Sequence, residues 1–357
     1  MRLNPALALP ALVLTLQAQE AAAPVTPVQR REVVEALAKA LKAQYVFPEV
    51  AEATGKALRD RVAQGAYDGA ASAKAFAEAL SKDLRDLGKD GHFRVRFDPA
   101  FKPRDEEEDR VPTKEEVAEL RQQAARRAFG IAKVEQLPGN VGYLDVRGFG
   151  PTEFVGPAFS AALTILSGTE ALILDLRQNG GGDPESVAYL VSHFFPEGDT
   201  RQLNAIYNRP RNTTRQYWTS PTVGPRYAGP VYVLTSARTF SGGEECAYDF
   251  QTQKRATLVG ETTGGGANPG HAVALAHGFN AFIPTGRAIN PVTGTNWEHV
   301  GVKPDMAVPA AEALKAAHVA ILKGILAKEK DPDYRQRLET ILARVEKGEA
   351  EPTRFSR

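Results

Sequence analysis

Residues 170–182, EALILDLRQNGGG, set the tightest constraint on what this chain can fold into. The stretch from Ala171 to Leu176 is a nearly unbroken apolar run. A strand carries such a run when both of its faces are covered, and that places helices on either side of a largely parallel sheet. The same grammar continues on both sides of it. NVGYLDVRGF reads as a strand, FVGPAFSAALTILSG as a helix, SVAYLVSHFF as a helix and PVYVLTS as another buried strand. SGGEECAYDFQTQ then reads as a helix, ATLVGET as a strand and AVALAHGFNAFIPT as a pair of strands. A helix follows from Ala310 to Lys330, and YRQRLETILARVEKG is the last one. The expected class is α/β, with a core over residues 131–330 and a C-terminal helix in 331–357.

Upstream the period changes. VVEALAKALKAQY puts Val33, Leu37, Leu41 and Tyr45 on one stripe, and Phe47-Pro48 breaks that helix. VAEATGKALRDRVAQGAY and SAKAFAEALSKDLRDL are two more amphipathic helices, the latter with Ser72 as its N-cap. Phe93, Val95 and Phe97 alternate with Arg94 and Arg96, the pattern of a half-buried strand. Residues 28–98 are therefore expected to form a small three-helix domain, and 99–130 a connector with one polar helix. Within that connector the acidic run Asp105–Asp109 is expected to face water.

The start of the chain has a separate character. Arg2, an apolar run from Ala6 to Leu16 and the small-residue stretch to Ala23 have the order of a secretory signal peptide over 1–23. The run is too short to span a bilayer, and nothing later approaches a transmembrane helix. The expected location is secreted or periplasmic, not integral to a membrane. A single Cys246 rules out an internal disulfide. With 44 basic and 43 acidic residues the formal charge is +1, which gives no electrostatic basis for nucleic-acid binding. No His/Cys/Asp/Glu set has metal-ligand spacing, and no cofactor is required.

Three loops have the composition to carry chemistry. LDLRQNGGG ends a buried strand, and its glycines let backbone amides point at an anion without Cβ interference. Its spacing fits neither a P-loop nor GxGxxG, and an ordinary tight turn is the competing reading. LTSARTFSGGEECAYDF carries the chain from a strand into a helix starting near Ser241. A nucleophile there would lie at the positive end of the helix. Ser241 is equally placed to be an N-cap, with Glu244 completing a capping box, and local sequence favours the cap. GETTGGGANP and NPVTGTNWEHVGVKPD form the third region, with Glu298 next to His299.

A catalytic serine needs a base from elsewhere. Of the six histidines, His193 and His318 lie in helices and read as packing or surface residues, while His271 and His277 flank AVALA in a predicted strand pair. His299 adjoins Glu298. His92 follows Gly91 where the helical segment meets a strand, and domain junctions are common places for sites.

ALILDLRQNGGG, TSARTFSGGEE, LVGETTGGGANP and WEHVGVKPD, in that order, resemble the C-terminal processing (tail-specific) serine peptidase family, which includes tricorn protease and interphotoreceptor retinoid-binding protein. DGHFRVRF after the N-terminal helices resembles the retinoid-binding-protein branch. The resemblance implies a crotonase-like ββα core and a small N-terminal helical bundle. It implies that Ser241 is the nucleophile and that amides of Gly242 and of the loop around Gly181 form an oxyanion hole. The lysine of the bacterial GKG motif has no counterpart in TTGGGAN, which excludes a simple Ser–Lys dyad; the resemblance to the tricorn-like branch implies His92 as base and Glu298 as its carboxylate partner. Tricorn has a serine before its histidine where this chain has Gly91, and the PDZ domain is absent. The expected activity is hydrolysis of peptide or unfolded-protein substrates by an exported serine peptidase. The alternatives are a non-catalytic binding module for apolar, retinoid- or lipid-like ligands, or a small-ester hydrolase.

Overall fold

Helix α1, Pro27–Gln44, starts where a capping box closes: Thr26 Oγ1 accepts from Gln29 N at 3.2 Å, and the Gln29 side chain accepts from Thr26 N at 2.9 Å. Its inner stripe, Val33, Leu37 and Leu41, is fully buried. Each such side chain contributes about 1.5–3 kcal/mol by leaving water. Tyr45 is extended ahead of Phe47-Pro48, which ends α1 and starts α2, Pro48–Ala63. Helix α3, Ala73–Gly88, is capped by Ser72, whose Oγ accepts from Ala75 N at 3.1 Å. It stops at Lys89, which adopts φ 53°. Strand β1, Arg94–Phe97, buries Val95 and exposes Arg94 and Arg96.

The computed structural model describes residues 24–103 and 113–349. The N-terminal run read as a signal peptide and the acidic run Asp105–Asp109 lie outside the described residues. The rest falls into two compact units. The first takes the N-terminal part of the chain together with Ile206–Thr214 and Asn268–Arg287. The second takes Val111–Ala205, Arg215–Ala267 and Ala288 onward.

In the first unit, β1 is an outer strand of an antiparallel sheet in the order β1-β10-β9, with β9 at Gly270–Ala274 and β10 at Phe279–Pro284. Phe279, Ala281 and Ile283 of β10 pack with α1–α3 in one core. Helix α3 closes the outer edge of β1. Ser81 Oγ accepts from Val95 N at 2.8 Å and lies 2.9 Å from Val95 O, so this residue offers no free edge for pairing.

The second unit is a six-stranded sheet in the order β12-β8-β7-β4-β3-β2. Its strands are β2 Ile131–Leu137, β3 Val141–Val146, β4 Ala171–Asp175, β7 Val231–Thr235, β8 Thr257–Gly260 and β12 Met306–Ala307. All its pairings are parallel except β2 with β3. Leu172, Leu174 and Val233 pack under helices α5 Thr152–Leu166, α6 Pro184–Ser192 and α7 Gly242–Thr252. Ala171, Ile173 and Leu234 pack with α8, Ala313–Leu326. The β4 run is apolar throughout because alternate residues meet helices on opposite faces. The polar helix of the connector is α4, Lys114–Arg126, and the last helix among the described residues is α9, Pro332–Lys347.

Two features were not legible from local pattern. The strand pair β9–β10 reads as part of the core by position, yet it groups with the N-terminal helices. Strands β5 Gln202–Asn208, β6 Thr213–Trp218 and β11 Gly286–Ile289 form a further sheet in the order β11-β5-β6, and the unit boundaries fall within these strands. Among the described residues no helix is long and apolar enough to cross a membrane.

Replacing Ser81 by alanine strands the buried Val95 amide. An unsatisfied buried donor costs about 1–3 kcal/mol, so Ser81→Ala should lower the unfolding free energy by that amount in urea titration. A change below about 0.5 kcal/mol would show that water replaces the hydroxyl.

Candidate active site

Strand β7 ends at Thr235, and six residues later the chain turns into α7 through Ser241. The turn is held from outside. Ser236 Oγ donates to Arg177 O at 2.6 Å, Thr239 Oγ1 to Leu176 O at 2.8 Å, and Phe240 N to Asn179 O at 3.0 Å. Ser241 itself has φ 53° and ψ −122°. For a residue with a Cβ this is a strained conformation, of order 1–3 kcal/mol, and such strain collects at functional sites. It is the geometry of a sharp strand-to-helix elbow that presents a side chain.

The NGGG loop is built against that elbow. Asn179 is fully buried; its Nδ2 donates to Val146 O at 3.0 Å and its Oδ1 accepts from Gly181 N at 2.8 Å. Gly181 has φ 96°, and a Cβ there would stand 2.7 Å from Ser241 Cβ and 2.8 Å from Gly242 N. Only glycine fits at this approach. The structure therefore brings Ser241, Gly181 and Gly242 together. The Gly181 N–H already serves Asn179, so it reaches an oxyanion only by sharing or leaving that bond.

Glu244 joins this elbow to the second glycine-rich loop. Its buried carboxylate accepts from Ser241 N at 2.9 Å, Thr263 Oγ1 at 2.6 Å, Gly265 N at 2.6 Å and Gly266 N at 2.8 Å. Burial pushes its pKa up, against the pull of these bonds. The same loop holds the WEHVG segment: Trp297 Nε1 donates to Gly266 O at 2.8 Å and His299 N to Gly265 O at 3.0 Å. Glu298 accepts from Ala267 N, and its backbone N donates to Asn296 Oδ1 at 2.9 Å. His299 Nδ1 stands 3.7 Å from Glu298 Oε1, with the imidazole mostly exposed.

His92 belongs to the first unit. It closes an Asp90–Gly91–His92 turn in which His92 N donates to Asp90 Oδ1 at 3.0 Å. Its ring stacks on Phe282 with centroids 6.0 Å apart. Asp90 is buried, and its Oδ2 accepts from Asn268 Nδ2 at 2.9 Å and from Tyr45 OH at 3.3 Å. Sequence reasoning passed over Asp90. The available signal was an aspartate two residues before the candidate histidine with glycine between, the composition of an Asx turn. The other helical histidines pack as expected. His193 bonds Ser160 Oγ at 3.0 Å and His318 lies 2.8 Å from Pro138 O, and burial lowers the pKa of both.

The pattern described as "Peptidase family S41" matches residues 140–308, and "N-terminal domain of Peptidase_S41 in eukaryotic IRBP" matches residues 17–132. The carboxy-terminal processing protease CtpB of Bacillus subtilis is 28% identical over 180 residues, which are 50% of this chain and 36% of that protein. The chloroplastic carboxyl-terminal-processing peptidase 1 of Arabidopsis thaliana is 25% identical over 189 residues, 53% of this chain and 38% of that protein. The chain thus spans little more than a third of the length of these relatives. A solved structure from Parabacteroides merdae, described as a peptidase, superposes with a TM-score of 0.58 at 19% identity, covering 84% of this chain and 98% of that one. At that identity the likeness is one of fold.

Beneath the elbow, α7 carries two further buried acids, Glu245 and Asp249. Burial raises Glu245 from 4.5 to about 7, Asn204 opposing and the Asp183 charge adding to the rise. Burial and Glu245 raise Asp249 well above the usual carboxylate range. Cys246 between them is buried and its thiol is pushed up, so it is not a competing nucleophile. A raised folded pKa means the fold favours the protonated form. The Glu245 contribution is complete below about pH 4.5, declines as pH rises to about 7 and is flat above. Glu245→Gln should remove most of that decline, making the variant more stable than the parent at pH 8 by up to about 3 kcal/mol, at about 1.4 kcal/mol per pH unit. Urea unfolding at pH 5 and pH 8 reads it; an unchanged pH slope would mean Glu245 ionises freely in the fold.

Proposed function

This chain belongs to peptidase family S41, and from that premise we propose that it is an exported serine peptidase acting on peptide or unfolded-protein substrates. The observation that carries the reading is the strained Ser241 at the mouth of α7, packed against the Gly181 loop. A residue that served only as a helix cap would have no need of φ 53°. Export is part of the proposal and rests on the charged start and the apolar run Ala6–Leu16.

In this reading Ser241 Oγ attacks the scissile carbonyl carbon, and His92 accepts the hydroxyl proton. The C–N bond breaks as His92 returns that proton to the leaving amine. Water then hydrolyses the acyl-enzyme, with His92 again acting as base and then acid. Glu298 supplies negative charge that stabilises the imidazolium. The Gly242 N–H at the helix mouth is the principal oxyanion donor, with the Gly181 loop as the second; each good donor contributes about 3 kcal/mol. Residues 262–268, TTGGGAN, hold no lysine, which supports histidine as the base. The curated relatives are named for carboxy-terminal processing, and cleavage near a substrate's C-terminus is the corresponding proposal here.

A fluorophosphonate probe applied to the full chain should label Ser241. Ser241→Ala should abolish labelling and reduce hydrolysis of an unfolded protein such as casein by at least about 10³-fold. Equal labelling of variant and parent would place the nucleophile elsewhere.

A further inference from the structure

We propose that Asp90 is the residue that positions His92, fixing both its backbone and its imidazole tautomer; the inference rests on the reading of His92 as the base. Three observations in the first unit converge on it. Asp90 Oδ1 accepts from His92 N at 3.0 Å, so the carboxylate sets the turn from which the imidazole projects. His92 Nδ1 stands 3.7 Å from the same oxygen. The ring's other face is fixed by stacking on Phe282, interplanar angle 24°, which limits its rotation.

Asp90 is itself immobile. It is 1% exposed and follows the left-handed Lys89 that stops α3. Its second oxygen is held by Tyr45, at the end of α1, and by the buried Asn268. A carboxylate with this many donors keeps one orientation.

The 3.7 Å separation is longer than a hydrogen bond, and catalytic hydrogen bonds commonly close only when substrate is bound. A carboxylate facing Nδ1 favours a proton on that nitrogen. Nε2 is then left as the acceptor for the Ser241 proton, and the imidazolium that forms keeps its Nδ1–H on Asp90. Glu298 plays a different part: its carboxylate is engaged by Ala267 N, in the loop held by Glu244, and it contributes charge.

The test measures the rate of fluorophosphonate labelling against pH on the full chain, for the parent, Asp90→Asn, Glu298→Gln, His92→Ala and Ser241→Ala. Asparagine retains an oxygen for His92 N and removes the charge. Asp90→Asn is expected to slow labelling at least about tenfold, because general-base assistance contributes about 10²–10⁴. A parent-like rate in Asp90→Asn, with labelling lost in His92→Ala, would overturn the positioning role and leave the peptidase reading standing. Labelling that persists in Ser241→Ala would overturn both.

A measurement on the unaltered protein covers the case in which Asp90→Asn does not fold. Nitrogen-15 NMR of histidine-labelled protein, with His92 assigned by the signal lost in His92→Ala, should show the neutral ring protonated at Nδ1. A ring protonated at Nε2 would overturn the proposal.

Discussion

The buried carboxylate of Glu244 is the contact on which the candidate site depends. It takes a donor from the backbone of Ser241 and three more from Thr263, Gly265 and Gly266. Thr263 passes the connection on, since its Oγ1 also accepts from Val302 N at 2.7 Å. One side chain thus fixes the helix mouth, the TTGGG loop and, through that loop, the segment carrying Glu298. Removing it would leave four donors without this acceptor, three of them buried, each bond worth about 1.5–3 kcal/mol to a charged acceptor.

The adjacent acid, Glu245, shows what this arrangement avoids. The two neighbours lie on one helical turn, and both are buried. Glu244 meets amides and a hydroxyl that can compensate its charge; at Glu245 the Asn204 bond opposes burial, and the Glu245 charge adds to the rise at its i+4 neighbour Asp249. Desolvation raises all three groups, and donors moderate the result at Glu244. At the acid that organises the elbow, hydrogen bonds oppose the upward push of burial, while the pair below it favours protonation.

Much of the architecture was legible because β4 and β7 obey local rules: an apolar run covered on both faces, then a polar loop at its C-terminal end. The N-terminal helices were equally legible from their stripes and caps. The assignment of β9 and β10 to the first unit was not, since pairing of Arg94 with Phe282 joins residues far apart in sequence and leaves no local period to read. At Ser241 local sequence offered cap and nucleophile as alternatives. The two roles are compatible in position. The Ser241 backbone N–H donates to the Glu244 carboxylate that closes the capping box, and its φ of 53° follows from the turn above it rather than from any helix preference. Backbone strain has no signature in residue type other than glycine, so it could not have been read in advance.

The glycine-rich run after β8 has a similar hidden logic at its end. Ala267 and Asn268 are consecutive, and the division between the two units falls at the bond joining them. Ala267 gives its amide to Glu298, while Asn268 gives its side-chain amide to Asp90. The second demand cannot be met by another glycine at 268, which has no side chain to donate. The composition changes from GGG to AN at the point where the chain stops cradling a buried carboxylate with backbone amides and begins to brace one with a side chain. One short stretch thereby anchors each of the two acids assigned to His92, Glu298 through its main chain and Asp90 through its side chain.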